Sequence, residues 1–375
     1  MIDLLLDSQV GLLFITTALG LGLGQLRVGD TSIGVAGVLL AGLVLGHLGF
    51  SLPHIILPLG TVLFVTSVGL SAGAGFKRVL SRFGKTLILV PVVTIGVGFA
   101  STLVLARSLG LDAGLATGMM AGALTSTPGL GAALEAAAGD PLVGIGYAVA
   151  YPVGVLGVIG GVNLVSRLIP ASTGEKTAVA AARPVKPTAS RPGNVLSLAI
   201  IASLGIVVGL IPLPLPWIGA INLGTAGGPL LVAILLGHFG TMGPVRTEFS
   251  DASLTLLRDM GAVFILASVG TSTGGQFLDL VSQHGVGLLL GGLAVTLSSL
   301  VAGLWIARIL LRADAADVLG TLAGAMTSTP GLTASIDLVG SDEPGLAYAA
   351  VYPAAIVLNC VACKIMVTLL GGGVP

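Results

Sequence analysis

The chain has 375 residues, of which 16 are Lys or Arg and 16 are Asp or Glu, so its formal net charge is zero. Charged residues are 9% of the total, 54% are hydrophobic and the mean hydropathy is +1.07. A soluble protein of this size cannot cover its surface with so few charges, and with no basic block there is no electrostatic footprint for nucleic acid; the composition defines an integral membrane protein with many spans.

The first seven residues contain Asp3 and Asp7 and no basic residue. A secretory leader begins with a basic region, so the first apolar run is expected to be a retained span. Runs of about 20 apolar residues match a bilayer core about 30 Å thick, and they predict spans near 9–26, 32–49, 54–75, 86–107 and 143–166. Between the last two, the apolar stretch 113–138 is interrupted by Thr125-Ser126-Thr127-Pro128-Gly129. From Pro170 to Pro192 the composition changes to charged and proline-rich, which reads as a solvent-exposed linker. The pattern then restarts, with spans near 194–211, 225–240, 259–275, 286–307 and 345–369 and a broken segment at 315–338. The chain thus divides into a first membrane repeat (1–169), a cytoplasmic linker (170–193) and a second membrane repeat (194–375). Cys360 and Cys363, the only cysteines, lie inside the last apolar run and support neither a zinc site nor a disulfide framework.

The halves are copies. Ala121–Glu135 aligns with Ala323–Asp337 at an offset of 202, with 10 of 15 positions identical. Ser67-Val68-Gly69 matches Ser268-Val269-Gly270 and Tyr147 with Tyr151-Pro152 matches Tyr348 with Tyr352-Pro353, both at 201, and Gly46-His47 matches Gly237-His238 at 191. If each broken segment is re-entrant, each half has five spans, and with the N-terminus outside, 14 of the 16 Lys and Arg fall on the cytoplasmic side. Full crossings would reduce the split to 11 against 5. The positive-inside rule favours five spans, and an odd number inverts the second repeat, a plan common among secondary transporters. The expected fold is an all-α polytopic membrane protein of two inverted repeats, each with about five transmembrane helices and one re-entrant or broken helix, arranged as elevator-like scaffold and transport domains.

In hydrocarbon a Pro-Gly break is tolerated only beside protein or a water-filled cavity. A residue before proline avoids the helical region, and Thr at the cap followed by Pro at the first helical position starts a helix; Thr127-Pro128 and Thr329-Pro330 are therefore expected to open new helices. Two buried helix N-termini facing each other present free N–H groups and roughly half a positive charge each. Thr125, Ser126, Thr127, Pro128 and Gly129, with Thr327, Ser328, Thr329, Pro330 and Gly331, form the candidate substrate site, a cradle suited to a carboxylate without a buried Lys or Arg. The carbonyls before each break, with Thr125 and Thr327, suit a cation. The competing reading is a Pro kink at a packed helix contact.

A second repeated stretch, Ser67–Gly73 and Ser268–Gly274, offers glycines for close approach or unwinding and the hydroxyls of Ser67, Ser71, Ser268 and Ser272 for a pathway. Tyr147, Tyr151, Tyr348 and Tyr352 are further pathway candidates, against the commoner use of Tyr in interfacial belts. Glu135 and Asp337 are equivalent and lie seven residues past each Pro, near the interface, where they are expected to be solvated or paired. Arg107, Arg308 and Lys364 are expected to snorkel. No catalytic constellation, metal cluster or cofactor motif is present, so the expected cofactors are none, with Na+ or H+ as candidate coupling ions.

The motifs resemble those of the aspartate:alanine exchanger family of bacterial secondary transporters. Gly20–Gly49 is similar to its opening spans, Phe64–Gly84 to its Gly-rich third segment, Ala121–Leu130 to its AGA-T-x-TP-x-L motif, and Gly146–Gly157 to its GYA-x-YP motif. The resemblance covers nearly the whole chain. It implies an exchanger of an acidic amino acid or dicarboxylate with its site at Thr125–Leu130 and Thr327–Leu332. Many members carry regulatory domains between the halves where this chain has only the linker, and the family often has Asn where Ser126 and Ser328 stand and Ala where Gly129 and Gly331 stand. The implied setting is a bacterial inner membrane, multi-pass, with the N-terminus outside and the linker cytoplasmic. The implied partners are a small anionic or zwitterionic substrate, the lipid bilayer and a second copy in a homodimer. The same features leave room for a sodium- or proton-coupled carrier or a cation/proton antiporter.

Overall fold

The computed structural model describes residues 8–25, 27–28, 31–32, 34–83, 86–168, 193–215, 219–240, 245–311 and 315–371. Nearly all of the proposed linker, from 170 to 192, lies outside them, as do the acidic residues Asp3 and Asp7.

The first half runs α1 (Gln9–Gly24), α2 (Ala36–His47), α3 (Ile56–Phe83), α4 (Thr86–Leu109), α5 (Ala113–Ala123), α6 (Thr127–Ala136) and α7 (Pro141–Leu168). The second runs α8 (Val195–Gly209), α9 (Gly224–Phe239), α10 (Asp251–Leu311), α11 (Ala315–Ala325), α12 (Thr329–Val339) and α13 (Glu343–Leu370). Five of these, α3, α4, α7, α10 and α13, are long and apolar enough to cross a bilayer, and α1, α2, α8, α9 and α11 are shorter apolar helices. The molecule is an all-α polytopic membrane protein with two small additions. Antiparallel ribbons, Arg27–Val28 with Thr31–Ser32 and Pro212–Leu215 with Gly219–Asn222, occupy equivalent places between the first two helices of each half.

One boundary differs from the sequence reading. Spans 259–275 and 286–307 are a single helical run in α10. Its first arm packs on α2 and α3, its second on α4, and α7 lies against both. Gly144 abuts Val269 and Thr273 while Ala150 abuts Gly292. Thr273 and Gly292 would be about 28 Å apart on a straight helix, whereas Gly144 and Ala150 are only about 9 Å apart on theirs. The axis of α10 therefore bends between its arms. The intervening stretch, with Gln276, Asp279, Gln283 and His284, interrupts the apolar pattern but not the helix.

The repeats interlock through small residues. Gly270 of α10 lies against Leu39 and Gly42 of α2, and Gly274 against Leu43, Gly46 and His47. In the other half Gly69 of α3 lies against Leu230 and Ala233 of α9, and Gly73 against Ile234 and Gly237. Of the two uses expected for the glycines of Ser67–Gly73 and Ser268–Gly274, unwinding and close approach, the structure has the second: both stretches are uninterrupted helix and their glycines let the halves approach.

Candidate functional site

The two broken segments form helical hairpins that meet. In the first, α5 ends at Ala123 and α6 begins at Thr127; in the second, α11 ends at Ala325 and α12 begins at Thr329. The chain turns by placing Thr125 and Thr327 at φ +52° and +53°, a left-handed conformation uncommon for a β-branched residue. Each turn is tied by its own backbone, Ser126 N–H donating to Ala121 O at 2.8 Å and Ser328 N–H to Ala323 O at 2.9 Å. It is also tied to the other hairpin: Thr125 Oγ1 donates to Met326 O at 2.8 Å, and Thr327 Oγ1 to Leu124 O at 3.0 Å. A reciprocal pair of buried bonds thus fastens the two breaks together, and the strain at each Thr is offset by the bond that its side chain makes.

The helix starts are one residue earlier than the sequence suggests. Ser126 and Ser328, not Thr127 and Thr329, are the N-caps, each hydroxyl accepting from the N–H of Gly129 or Gly331 at 3.1 Å. Proline sits at the second helical position, which it tolerates because a first-turn N–H has no intrahelical acceptor in any case. This narrows the cradle. Gly129 is capped by Ser126, Leu130 N–H donates to Ser126 O, and proline has no donor, so the remaining first-turn donor is the Thr127 N–H, with Thr329 its counterpart.

Behind each helix start stands a tyrosine pair. Thr127 Oγ1 and Tyr147 OH are 3.2 Å apart, and Tyr147 stacks on Tyr151 with ring centroids 5.0 Å apart. In the second half Tyr348 stacks on Tyr352 with ring centroids 4.7 Å apart. All four rings are buried, so they are not an interfacial belt.

A cavity of about 790 Å³ opens onto this assembly, lined by Thr125, Thr127, Pro128, Thr327, Thr329 and Pro330 together with Tyr151 and Tyr352. It lies within the range of small-molecule sites. Ser126 and Ser328 are buried as caps; neither they nor Gly129 and Gly331 belong to its lining, and Tyr147 and Tyr348 stand in a second layer. Ser67, Ser71, Ser268 and Ser272 are not brought to the cavity; Ser67 donates to Phe64 O and Ser272 to Val269 O within their own helices.

Four polar residues of the site escaped the sequence reading as site members. Arg258, Asp259, Asn163 and Thr333 line the cavity beside Asp337. Arg258 lay just before the expected span 259–275 and Asp259 at its first position, but α10 begins at Asp251, and Arg258 shares a face with Ala262, one turn on, which also lines the cavity. Their ion pair is 3.9 Å long and exposed, worth little. Lys364 does not snorkel. It is buried, pairs with Glu135 at 3.4 Å and donates to Asn222 Oδ1 at 3.3 Å. Glu135 also accepts from the N–H and hydroxyl of Thr225, both at 2.9 Å.

Two helical hairpins meeting tip to tip at a polar cavity inside a polytopic membrane protein make the layout of a transporter site, where broken helices bring polar backbone to buried depth. A family described as a predicted permease membrane region matches residues 12–167 and, separately, 197–368. The chain belongs to this family, the aspartate:alanine exchanger family that its motifs resemble, and each half matches it once, in keeping with the duplication. The chain is 25% identical to an uncharacterized transporter of Bacteroides fragilis, covering 98% of this chain and 99% of that one. It is 24% identical to one of Geobacter sulfurreducens (99% and 100%) and 26% to one of Corynebacterium efficiens (99% and 100%). The alignments run over 528, 549 and 536 residues against 375 here, so these relatives carry long segments that this chain lacks. No solved structure matches the chain.

Proposed function

We propose that this transporter is a secondary active exchanger of a small carboxylate, such as aspartate with alanine or a dicarboxylate, working by alternating access. The observation that carries the reading is the convergence of Thr127 and Thr329, each at the start of a helix, on one cavity that also holds Arg258. Helix N-termini and a guanidinium favour an anion at the cavity floor, and Asp337 and Asp259 supply an acidic side for an ammonium group. Neither a large hydrophobic pocket nor an all-acidic one surrounds the hairpin tips, which favours a small polar solute.

The hairpin-bearing helices α5, α6, α11 and α12 pack with α7 and α13, a grouping suited to moving as one body against α1, α2, α3, α8 and α9 in an elevator-like cycle. The second group would hold a homodimer. The reading sets the chain in a bacterial inner membrane, as the family resemblance implies, with the N-terminus outside, the orientation that gives 14 of 16 Lys and Arg to the cytoplasmic side. A sodium- or proton-coupled carrier is the second reading, favoured by Asp337 and Asp259 in the cavity.

Thermal unfolding of the detergent-solubilised protein against aspartate, alanine and C4 dicarboxylates, with and without sodium, tests the proposal. A saturable rise in Tm with a carboxylate, abolished in Thr127→Val and Thr329→Val but kept in Glu135→Gln, is expected. Stabilisation that persists in both Thr variants would contradict the site, and stabilisation by sodium or protons alone would favour the second reading.

A further inference from the structure

The internal duplication pairs every contact in one half with a counterpart in the other, and the structure treats the two members of three such pairs differently. On one face α6 is wedged shut. Gly131 lies against Thr61 of α3, and Glu135 engages Lys364 of α13 and Thr225 at the start of α9. Residues 127–134 are all buried there. The counterparts on the other face are Thr333 with Ala262 and Asp337 with Asn163, from the offsets of 201 and 202, and Asp337 with Val35, which follows Gly34 as Thr225 follows its equivalent Gly224. All five of these residues line the cavity, with Thr333 and Asp337 exposed to it.

The match extends to the backbone. Gly34, two residues before α2, and Gly224, the first residue of α9, have φ of +61° and +63°. Gly34 closes on Gly24 and Gly224 on Gly209 in the same way. At Gly224 a Cβ would run into the Glu135 carboxylate and the Lys364 ammonium, so a glycine is needed where the carboxylate docks. Gly34 leaves the same approach free, with nothing within 4 Å of its Cβ position. The small and large partners also exchange places: Gly131 faces Thr61, whereas Thr333 would face Ala262.

From this we infer that Glu135 and Asp337 are the alternating latches of the transport cycle. The Glu135–Lys364–Thr225 cluster is the closed gate, and the cavity is the same gate, in its other copy, standing open. In the opposite state Asp337 docks on the Val35 N–H at the start of α2 with the Asn163 amide beside it. Thr333 then meets Ala262, and a mirror cavity opens among Thr61, Gly131, Glu135, Thr225 and Lys364. The chemistry explains why this state is the one seen. Glu135 has an ammonium partner and two donors from Thr225, whereas Asp337 would have a neutral amide and one N–H, since Val35 lacks a hydroxyl. Both carboxylates accept charge-assisted bonds, but only Glu135 also faces a full opposite charge, so the latch with Lys364 wins at rest. The inference rests on the carrier reading and on the inversion of the repeats for the two cavities to open on opposite sides.

Two single cysteines report the two faces: Thr333→Cys in the cavity and Thr61→Cys in the closed interface, where Thr61 is 2% exposed. The reagent is a membrane-impermeant maleimide, and labelling is read in excess of the parent chain, whose Cys360 and Cys363 are buried. At rest Thr333→Cys reacts and Thr61→Cys is protected. Glu135→Gln removes the closed latch and Asn163→Lys strengthens the open one. Each is expected to slow Thr333→Cys labelling and speed Thr61→Cys labelling about tenfold, the scale of one hydrogen bond to a charged group. Asp337→Asn should not speed Thr61→Cys labelling. A loss variant and a gain variant moving both reporters alike cannot be produced by unfolding, which exposes both. Unchanged rates in both variants, or both reporters rising together, would overturn the latch. Labelling reads conformation without a substrate, so shifted rates in a protein that carries no carboxylate would leave the latch and remove the exchanger.

Discussion

At the scale of single residues, the hairpin tips depend on two threonines held left-handed by each other's hairpin. Removing one hydroxyl strands a buried carbonyl and keeps the strain. Thr125→Val is expected to lower the stability of the detergent-solubilised protein by about 1–3 kcal/mol, with Thr125→Ser nearly unaffected. Thermal unfolding followed by tryptophan fluorescence or circular dichroism checks it, and equal melting of Val and Ser variants would contradict the role of the reciprocal bonds. A second residue gives the opposite sign. Asn359 is fully buried, both polar atoms of its amide lack a hydrogen-bond partner among the described residues, and its counterpart is Val158. An unpaired buried amide is costly, so Asn359→Val should raise Tm. A fall in Tm would mean that the amide is engaged.

At the scale of elements, the glycine contacts between halves are testable against an internal control. A side chain at Gly270 would meet backbone of Leu39 and Gly42 at 2.6–2.8 Å, whereas at Gly275 the nearest atom is 3.9 Å away. Gly270→Leu should prevent extraction of a monodisperse protein and Gly275→Leu should not; size-exclusion profiles of the two variants decide. Much at this scale was legible in the sequence. The breaks could be read because Thr-Ser-Thr-Pro-Gly occurs twice at a constant offset, and the first-half helices fall close to the apolar runs. The cap register was not legible, because proline is tolerated at either of the first two helical positions and both Ser126 and Thr127 have capping side chains. The continuity of α10 was hidden by Gln276, Asp279, Gln283 and His284, which end one apolar run and precede the next without ending the helix. The start of α10 at Asp251 was hidden for a different reason: hydropathy locates the bilayer-spanning part of a helix, and Arg258 stands outside it on the same face.

At the scale of the whole molecule, the sequence announces symmetry and the structure adds asymmetry. Lys364 read as a snorkelling side chain because its partner, Glu135, is 229 positions away, and nothing local signals their pairing. The same holds for Asp337, whose importance comes from what its counterpart touches rather than from its own neighbours. Folding places the hairpins tip to tip, with Glu135 and Lys364 paired on one face and the cavity on the other. Such an arrangement makes an exchanger when the occupied hairpin body can swap faces and the empty one does so poorly. The most direct measurement is counterflow in proteoliposomes: vesicles loaded with unlabelled aspartate, alanine or a dicarboxylate, diluted into trace labelled solute. The account predicts transient accumulation of label with at least one small carboxylate. Accumulation should vanish without internal solute, and Thr127→Val, which removes the hydroxyl that meets Tyr147 at the cavity wall, should reduce it up to about tenfold, the scale of one hydrogen bond. Absence of counterflow with every small carboxylate, in protein shown to be folded, would contradict it.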